Sequence, residues 1–189
     1  MLEAASRTGI GGQESNLDYY IRLGLTNPFF LAAAQTIADR VADVAKFEVQ
    51  ARPKSIQVGS DAEWKTIKGH PFLEVLRRPN SMFPSSLVLA TTAMWMNTHG
   101  NAYWFIVSDN PGYGRITELW PLPSVNMRPD PMSLRISPAT GKPIIDYIYT
   151  LGTQVRLPGE NVIHFRTPNL TGFWEGMAPL SAMAEALET

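Results

Sequence analysis

The stretch ITELWPLPSVNMRP, Ile116 to Pro129, opens as a strand with Ile116, Leu119 and Trp120 and is then broken by Pro121, Pro123 and Pro129. Proline fixes φ and has no N–H to give to a sheet ladder, so a central strand does not tolerate this punctuation. The stretch reads as a stiff connector between a strand ITELW and a strand SLRIS, Ser133 to Ser137. Pro121 and Pro123 hold the backbone extended after the first, and Pro129 and Pro131 do so before the second. A connector already restricted in the unfolded chain loses little entropy on ordering. It can carry one sheet pair across another, and it reads as scaffolding with no catalytic role.

Working back from ITELW, the apolar period is two as far as Gly100 and close to 3.6 before it. NAYWFIVS, Asn101 to Ser108, is a strand, and DNPGYG is a turn that folds it onto ITELW as a hairpin. FPSSLVLATTAMWMNTHG reads as a long helix with Pro84 at its start and Leu87, Ala90, Met94 and Asn97 in one row. Gly100 takes the left-handed terminating position, and His99 reads as a capping side chain. HPFLEVLRRPN is a short helix opened by Pro71 and stopped by Pro79. Arg77 and Arg78 sit at its negative end and read as a solvated terminus more readily than as a phosphate contact.

Further upstream, FFLAAAQTIADRVADVA forms the other long helix, with Phe30, Ala34, Ile37, Val41 and Val44 in one stripe, Asn27 as cap and Pro28 at the first helical position. KFEVQAR alternates Phe47, Val49 and Ala51 with Lys46, Glu48, Gln50 and Arg52, as a half-buried strand does. NLDYYIRLGL suits a short helix ended by Gly24, and residues 1–15 suit an arm.

Downstream, SLRIS, PATGK and PIIDYIYT make a second hairpin, and TQVRL and NVIHF two further short strands. TPNLTGFWEGM is a loop, and APLSAMAEALE begins a last helix. The fold class is α+β: two long helices and short helices packed on antiparallel β-hairpins. The chain divides into an N-terminal arm at 1–27, partly disordered, a body at 28–176, and the start of a helix leading out at 177–189.

Composition narrows the functions. At 189 residues, with 44% hydrophobic and 17% charged residues, the chain suits one globular domain. Sixteen Lys and Arg oppose seventeen Asp and Glu, which argues against a domain that grips nucleic acid by counterion release. There is no cysteine, so thiolate chemistry and disulfides are excluded. His70, His99 and His164 lie far apart, without metal-ligand spacing. The most apolar run, Pro28 to Val44, carries Asp39, Arg40 and Asp43 and is no membrane span. The start lacks a signal-peptide pattern, and a soluble intracellular protein is expected.

Neither GGQES nor PGYGR is a phosphate loop, since no Gly-Lys-Ser/Thr follows. Glu118, Asp146 and Glu160 are the acid–base candidates a hydrolase would use, but nothing in the sequence pairs them. A non-enzymatic adaptor using an exposed hairpin edge is a further reading. Trp174, Phe173 and Tyr113 suit a contact between copies and equally suit a core, and no interface residue is singled out. No catalytic, cofactor-binding or metal-binding residue is assigned.

The order of these parts resembles the portal protein of tailed bacteriophages, the head-to-tail connector of the long-tailed-phage type. Four stretches carry the likeness: LAAAQTIADRVADVAKFEV; HPFLEVLRRPN with SSLVLATTAMWMNTHGNAYWFIV; ITELWPLPSVNMRP; and LPGENVIHFRTPN with GFWEGMAPLSAMAEAL. They run from about Phe30 to Leu187 and leave the arm uncovered. The resemblance implies the wing-like outer body of a subunit in a ring, usually of twelve, at the capsid vertex through which double-stranded DNA is packaged and ejected. It implies as partners further copies of the chain, a capsid or scaffold protein, and DNA held without sequence specificity, with no membrane and no cofactor. Terminase and a head-completion adaptor would dock on a clip region that this sequence does not contain. Such subunits are longer than this chain, so stem and clip functions fall on none of its residues.

Overall fold

In the computed structural model, which describes residues 24, 26–43, 48–51, 65–67, 69–110, 114–138 and 140–182, helix α1 (Pro28–Asp43) starts at its expected cap. Asn27 Oδ1 accepts the N–H groups of Phe29 at 3.0 Å and Phe30 at 3.1 Å, two of the donors a helix start leaves unpaired. The short ribbon β1 (Val49–Ala51) and β2 (Lys65–Ile67) follows, paired antiparallel. Helix α2 (Pro71–Arg77) opens on His70, whose Nδ1 accepts from Phe72 N, and α3 (Ser85–Thr98) opens on Pro84. Of the expected arm only Gly24, Thr26 and Asn27 are described, of the helix at NLDYYIRLGL only Gly24, and in KFEVQAR Glu48 and Gln50 are exposed while the apolar side chains lie outside the described residues.

The two long helices pack on each other, though not through the expected rows. On α1 the buried residues are Ala34 and Ala38, while Ile37 is 47% and Val41 39% exposed. On α3 they are Val88, Ala93 and Thr98, while Leu87 is 46% exposed. Small residues let the α1 backbone approach its neighbour closely. Helix α3 is apolar nearly all round, so its sequence does not single out a face.

Two three-stranded antiparallel sheets complete the body. The first runs β4 (Ile116–Leu122), β3 (Asn101–Ser108), β8 (Val162–Arg166); the second runs β5 (Met127–Ile136), β6 (Pro143–Leu151), β7 (Thr153–Leu157). Side chains alternate across the first sheet, which makes it the middle layer. Trp104 and Leu119 pack with Val75 and Val88 on the helix side, and Tyr103 and Val162 pack with Met127, Ile145 and Tyr147 of the second sheet. The last described helix, α4 (Pro179–Ala182), carries Leu180, which is fully buried.

The opening prolines require one correction. The strand expected to end at Trp120 continues through Pro121, opposite Trp104, to Leu122, and the strand expected at Ser133 already starts at Met127, with Pro129 opposite Tyr147. Both are edge strands, where a missing N–H faces outward. Only Pro123 lies in a connector, ahead of the 3-10 turn Ser124–Asn126. Beyond Pro131 the ladder slips between Asp130 and Arg135. There Ser133 Oγ donates to Asp130 O and accepts Asp146 N, both at 2.6 Å, standing in for the lost backbone pairing.

Gly100 joins α3 to β3 at φ +74°, and a Cβ there would meet the backbone of Met177 and Ala178. Gly141 has φ +65° with open space around it. Gly100→Ala is therefore expected to cost about 3–4 kcal/mol, from the left-handed backbone and the collision together, and Gly141→Ala only about 1–2 kcal/mol, from the backbone alone. Urea denaturation of the two variants measures the difference.

Candidate functional site

The densest buried polar cluster forms where β3 begins. Asn101 is 3% exposed. Its Nδ2 donates to His99 O at 3.0 Å and Gly176 O at 3.3 Å, and its Oδ1 accepts Gly176 N at 2.6 Å. The side-chain amide thus engages both backbone groups of Gly176, as a neighbouring strand would. The backbone oxygen of Asn101 accepts Ser124 Oγ at 2.6 Å, tying in the turn after β4. Gly176 has no room for a side chain, since a Cβ would strike Gly100 O and Thr167 N. Thr167 closes the other end of the loop: its N–H donates to Gly100 O at 2.9 Å and its hydroxyl to Met177 O at 2.6 Å.

His164 lies against this cluster, with Nε2 2.9 Å from Asn101 Oδ1 and Nδ1 3.4 Å from the Tyr147 hydroxyl. Asn101 Oδ1 can only accept, so Nε2 carries the ring proton and Nδ1 accepts from Tyr147. The imidazole stacks on Tyr103 at 4.3 Å. Burial pushes its pKa down to about 4, helped by the charges of Arg166 and His99. Burial also raises the phenols of Tyr103 and Tyr147. Three histidines far apart in sequence thus resolve into a helix cap, His70, and two members of one buried cluster. His99 itself ends α3 through its backbone N–H, which donates to Trp95 O at 2.7 Å, a backbone cap where a side-chain cap was expected.

The acid–base candidates divide between an ion-pair cluster and a separate strand residue. Asp146 and Glu160, unpaired in the sequence, meet through Arg135, which reaches Asp146 Oδ1 at 2.5 Å and Glu160 Oε2 at 2.7 Å. Asp146 Oδ1 also accepts Gly159 N at 3.0 Å, and Arg156 reaches Asp130 Oδ2 at 2.9 Å. The hydrogen bond with Asp146 is the main reason that the Arg135 guanidinium is held even more firmly protonated than usual. Both carboxylates are thus engaged by one cation. Glu118 lies apart and accepts Trp120 Nε1 at 2.7 Å. Arg77 pairs with Glu74 at 3.7 Å on an exposed helix turn. Among the described residues no group of three or more His, Asp or Glu is arranged to hold a metal, and no helix is long and apolar enough to cross a membrane.

Loop 167–177 rises from the Asn101 cluster. Asn169 shapes it from within, accepting from Thr171 and Gly172 and donating to Glu175 O, and Arg166 Nη1 donates to Phe173 O. The loop leaves Leu170 96% and Phe173 86% exposed. Trp174 lines two shallow clefts, of about 380 Å³ over Ile145, Tyr147 and His164 and about 540 Å³ over Arg128 and Pro131. Tyr113 lies outside the described residues. Sequence reading did not single out Asn101, Arg135 or Asn80. For Asn101 the signal was present: an amide directly after a helix-ending glycine, opening an apolar strand.

The family model for phage portal proteins matches residues 28–189. No curated protein sequence matches the chain. Among solved structures, a chain in the neck of an empty GTA particle superposes with a TM-score of 0.69 at 24% identity, covering 92% of this chain and 42% of that one. A chain in the virion of a native gene transfer agent particle gives 0.67 at 24% identity, covering 92% and 41%. A chain in the neck of a native GTA particle with C12 symmetry gives the same values. The chain spans about two fifths of the length of those structures' chains.

Two outcomes follow from the geometry. Asn101→Ala strands the buried N–H of Gly176 and is expected to cost about 3–5 kcal/mol, read from the urea midpoint. Asp146→Ala should cost about 2–3 kcal/mol by leaving Arg135 and Gly159 short of a partner, while Glu118→Ala should cost less than about 1 kcal/mol. The same urea titrations check the ordering of the two carboxylates.

Proposed function

The chain belongs to the phage portal protein family, and from that premise we propose that it is the wing-like body, residues 28–176, of a portal subunit, with 177–189 leading into a stem. The observation that carries this reading is the family match over residues 28–189, laid on a fold shared along 92% of the chain. Copies of the subunit would close head to tail into a ring, usually of twelve, at the capsid vertex of the virion. The C12 symmetry of one GTA neck supports that number. The ring would be built in the host cytoplasm, contact capsid or scaffold protein, and join head to tail. Terminase and a head-completion adaptor would meet it through parts of the subunit beyond this chain.

Double-stranded DNA of any sequence must pass such a ring without being held. A single bidentate arginine–guanine contact supplies about 1–3 kcal/mol, and copies of it around a ring would trap the DNA. Near-balanced charge, sixteen basic against seventeen acidic residues, suits passage over grip. The role is non-enzymatic: Asp146 and Glu160 serve Arg135, and that arrangement supports a frame better than a reaction.

The test uses the product of the complete open reading frame that contains this chain. Native mass spectrometry and negative-stain microscopy should find closed rings whose mass is a whole multiple, near twelve, of the subunit. A product that stays monomeric at micromolar concentration, or that turns over a substrate lost on Asp146→Ala, overturns the reading in favour of an adaptor or an enzyme.

A further inference from the structure

One hydrogen-bonded chain crosses three parts of the molecule. It runs from the Tyr147 hydroxyl on β6 to His164 on β8, from His164 to Asn101 at the start of β3, and from Asn101 to Gly176 in the segment entering α4. Asn101 Oδ1 receives two donors at once, Gly176 N and His164 Nε2, and with the two bonds from Nδ2 to His99 O and Gly176 O they fix its orientation. We propose that Tyr147, His164, Asn101 and Gly176 form a proton-sensitive latch, which holds the segment from Gly176 into α4 on the body while His164 is neutral and releases it when His164 takes a second proton.

The second proton has nowhere comfortable to go. It must settle on Nδ1, which already accepts from the Tyr147 hydroxyl, so that hydroxyl would have to reverse. The groups facing the ring from each packed element give the new charge little help. Arg166 on β8 and His99 at the end of α3 both oppose it. Tyr103 from β3 and Tyr147 from β6 are neutral phenols that burial keeps from ionising. Glu175 in the loop reaches the cluster through Tyr103. The imidazolium gains solvation by moving towards water, and that movement withdraws one of the two donors to Asn101 Oδ1.

The direction with pH follows from linkage. The latched form accepts a proton only near pH 4, whereas a ring released to water accepts one near its ordinary 6.5. Each unit of pH lost between those values therefore favours the open form by up to about tenfold. The backbone of His164 keeps its place opposite Tyr103 in the β3–β8 ladder, so only the side chain swings and the opening is local to the segment. The inference goes beyond the portal reading and needs no ring for its test.

Hydrogen exchange on the whole chain, corrected for intrinsic rates and followed from pH 7 to 4.5, reads the latch directly. Protection of the Gly176 amide should fall by up to about tenfold per pH unit below about 6.5. The Leu119 amide, which donates to Pro79 O at 2.7 Å far from the latch, should keep its protection. In His164→Gln, whose amide can still donate to Asn101, the pH slope at Gly176 should vanish. A flat Gly176 profile in the wild type, a parallel loss at Leu119, or a slope that survives His164→Gln each overturns the proposal. Should His164→Gln fail to fold, the imidazole titration of the wild type by NMR replaces it. A midpoint for His164 that coincides with loss of Gly176 protection supports the latch, and separate midpoints sink it.

Discussion

Asn101 satisfies the backbone of a segment 75 residues away, and much of the architecture depends on that contact. A buried amide has four hydrogen-bonding positions to fill, and here all of them meet groups that would otherwise be stranded. The contact needs Gly100 in a left-handed turn so that Asn101 points inward, and it needs Gly176 without a side chain so that two backbones can touch. Removing any of the three leaves the other two misplaced. Asn80 repeats the device on the helix side. Its Nδ2 donates to Leu119 O at 2.8 Å while its Oδ1 accepts Met82 N and Phe83 N, which ties the exit of α2 to the edge strand β4. Leu119 N in turn donates to Pro79 O. Two asparagines thus join helix layer, middle sheet and outgoing segment without any long run of secondary structure between them.

The same logic accounts for the prolines. An edge strand carries a row of unpaired backbone groups, and a proline there removes a donor where no partner is waiting. β4 and β5 are both edges, and both carry proline. Stiff backbone remains the right description of ITELWPLPSVNMRP, but most of it lies inside strands and only Pro123 bridges them.

Local signals were legible because local physics sets them. The Asn27 cap, the Pro71 and Pro84 starts, the Gly100 stop and the strands from Asn101 onward each rest on backbone chemistry within a few residues. Which face of a helix is buried depends on what the rest of the chain packs against it. Ala34, a member of the expected stripe, is buried, and Ala38 takes the place expected of Ile37 and Val41. The meeting of Asp146 with Glu160 was invisible for a similar reason. Arg135 lies across a hairpin from one and beyond a further strand from the other, and the slip in the β5 ladder sets its reach. The family resemblance supplied the order of parts, while the role of its asparagine became clear only when Gly176 came to rest beside it.

Cross-ties fix the angle between layers in a way that a large uniform core does not. Hydrophobic burial is non-directional and tolerates small slips, whereas a buried amide with four partners permits one arrangement. The two core clusters on either side of the middle sheet supply cohesion, and the Asn101 and Asn80 ties supply the angle at which the chain enters and leaves it. Asn101, His164, Asp146 and Arg135 are each held by partners within the fold. What such a cluster delivers is shape: it sets the angles between the helix layer, the two sheets and the outgoing segment.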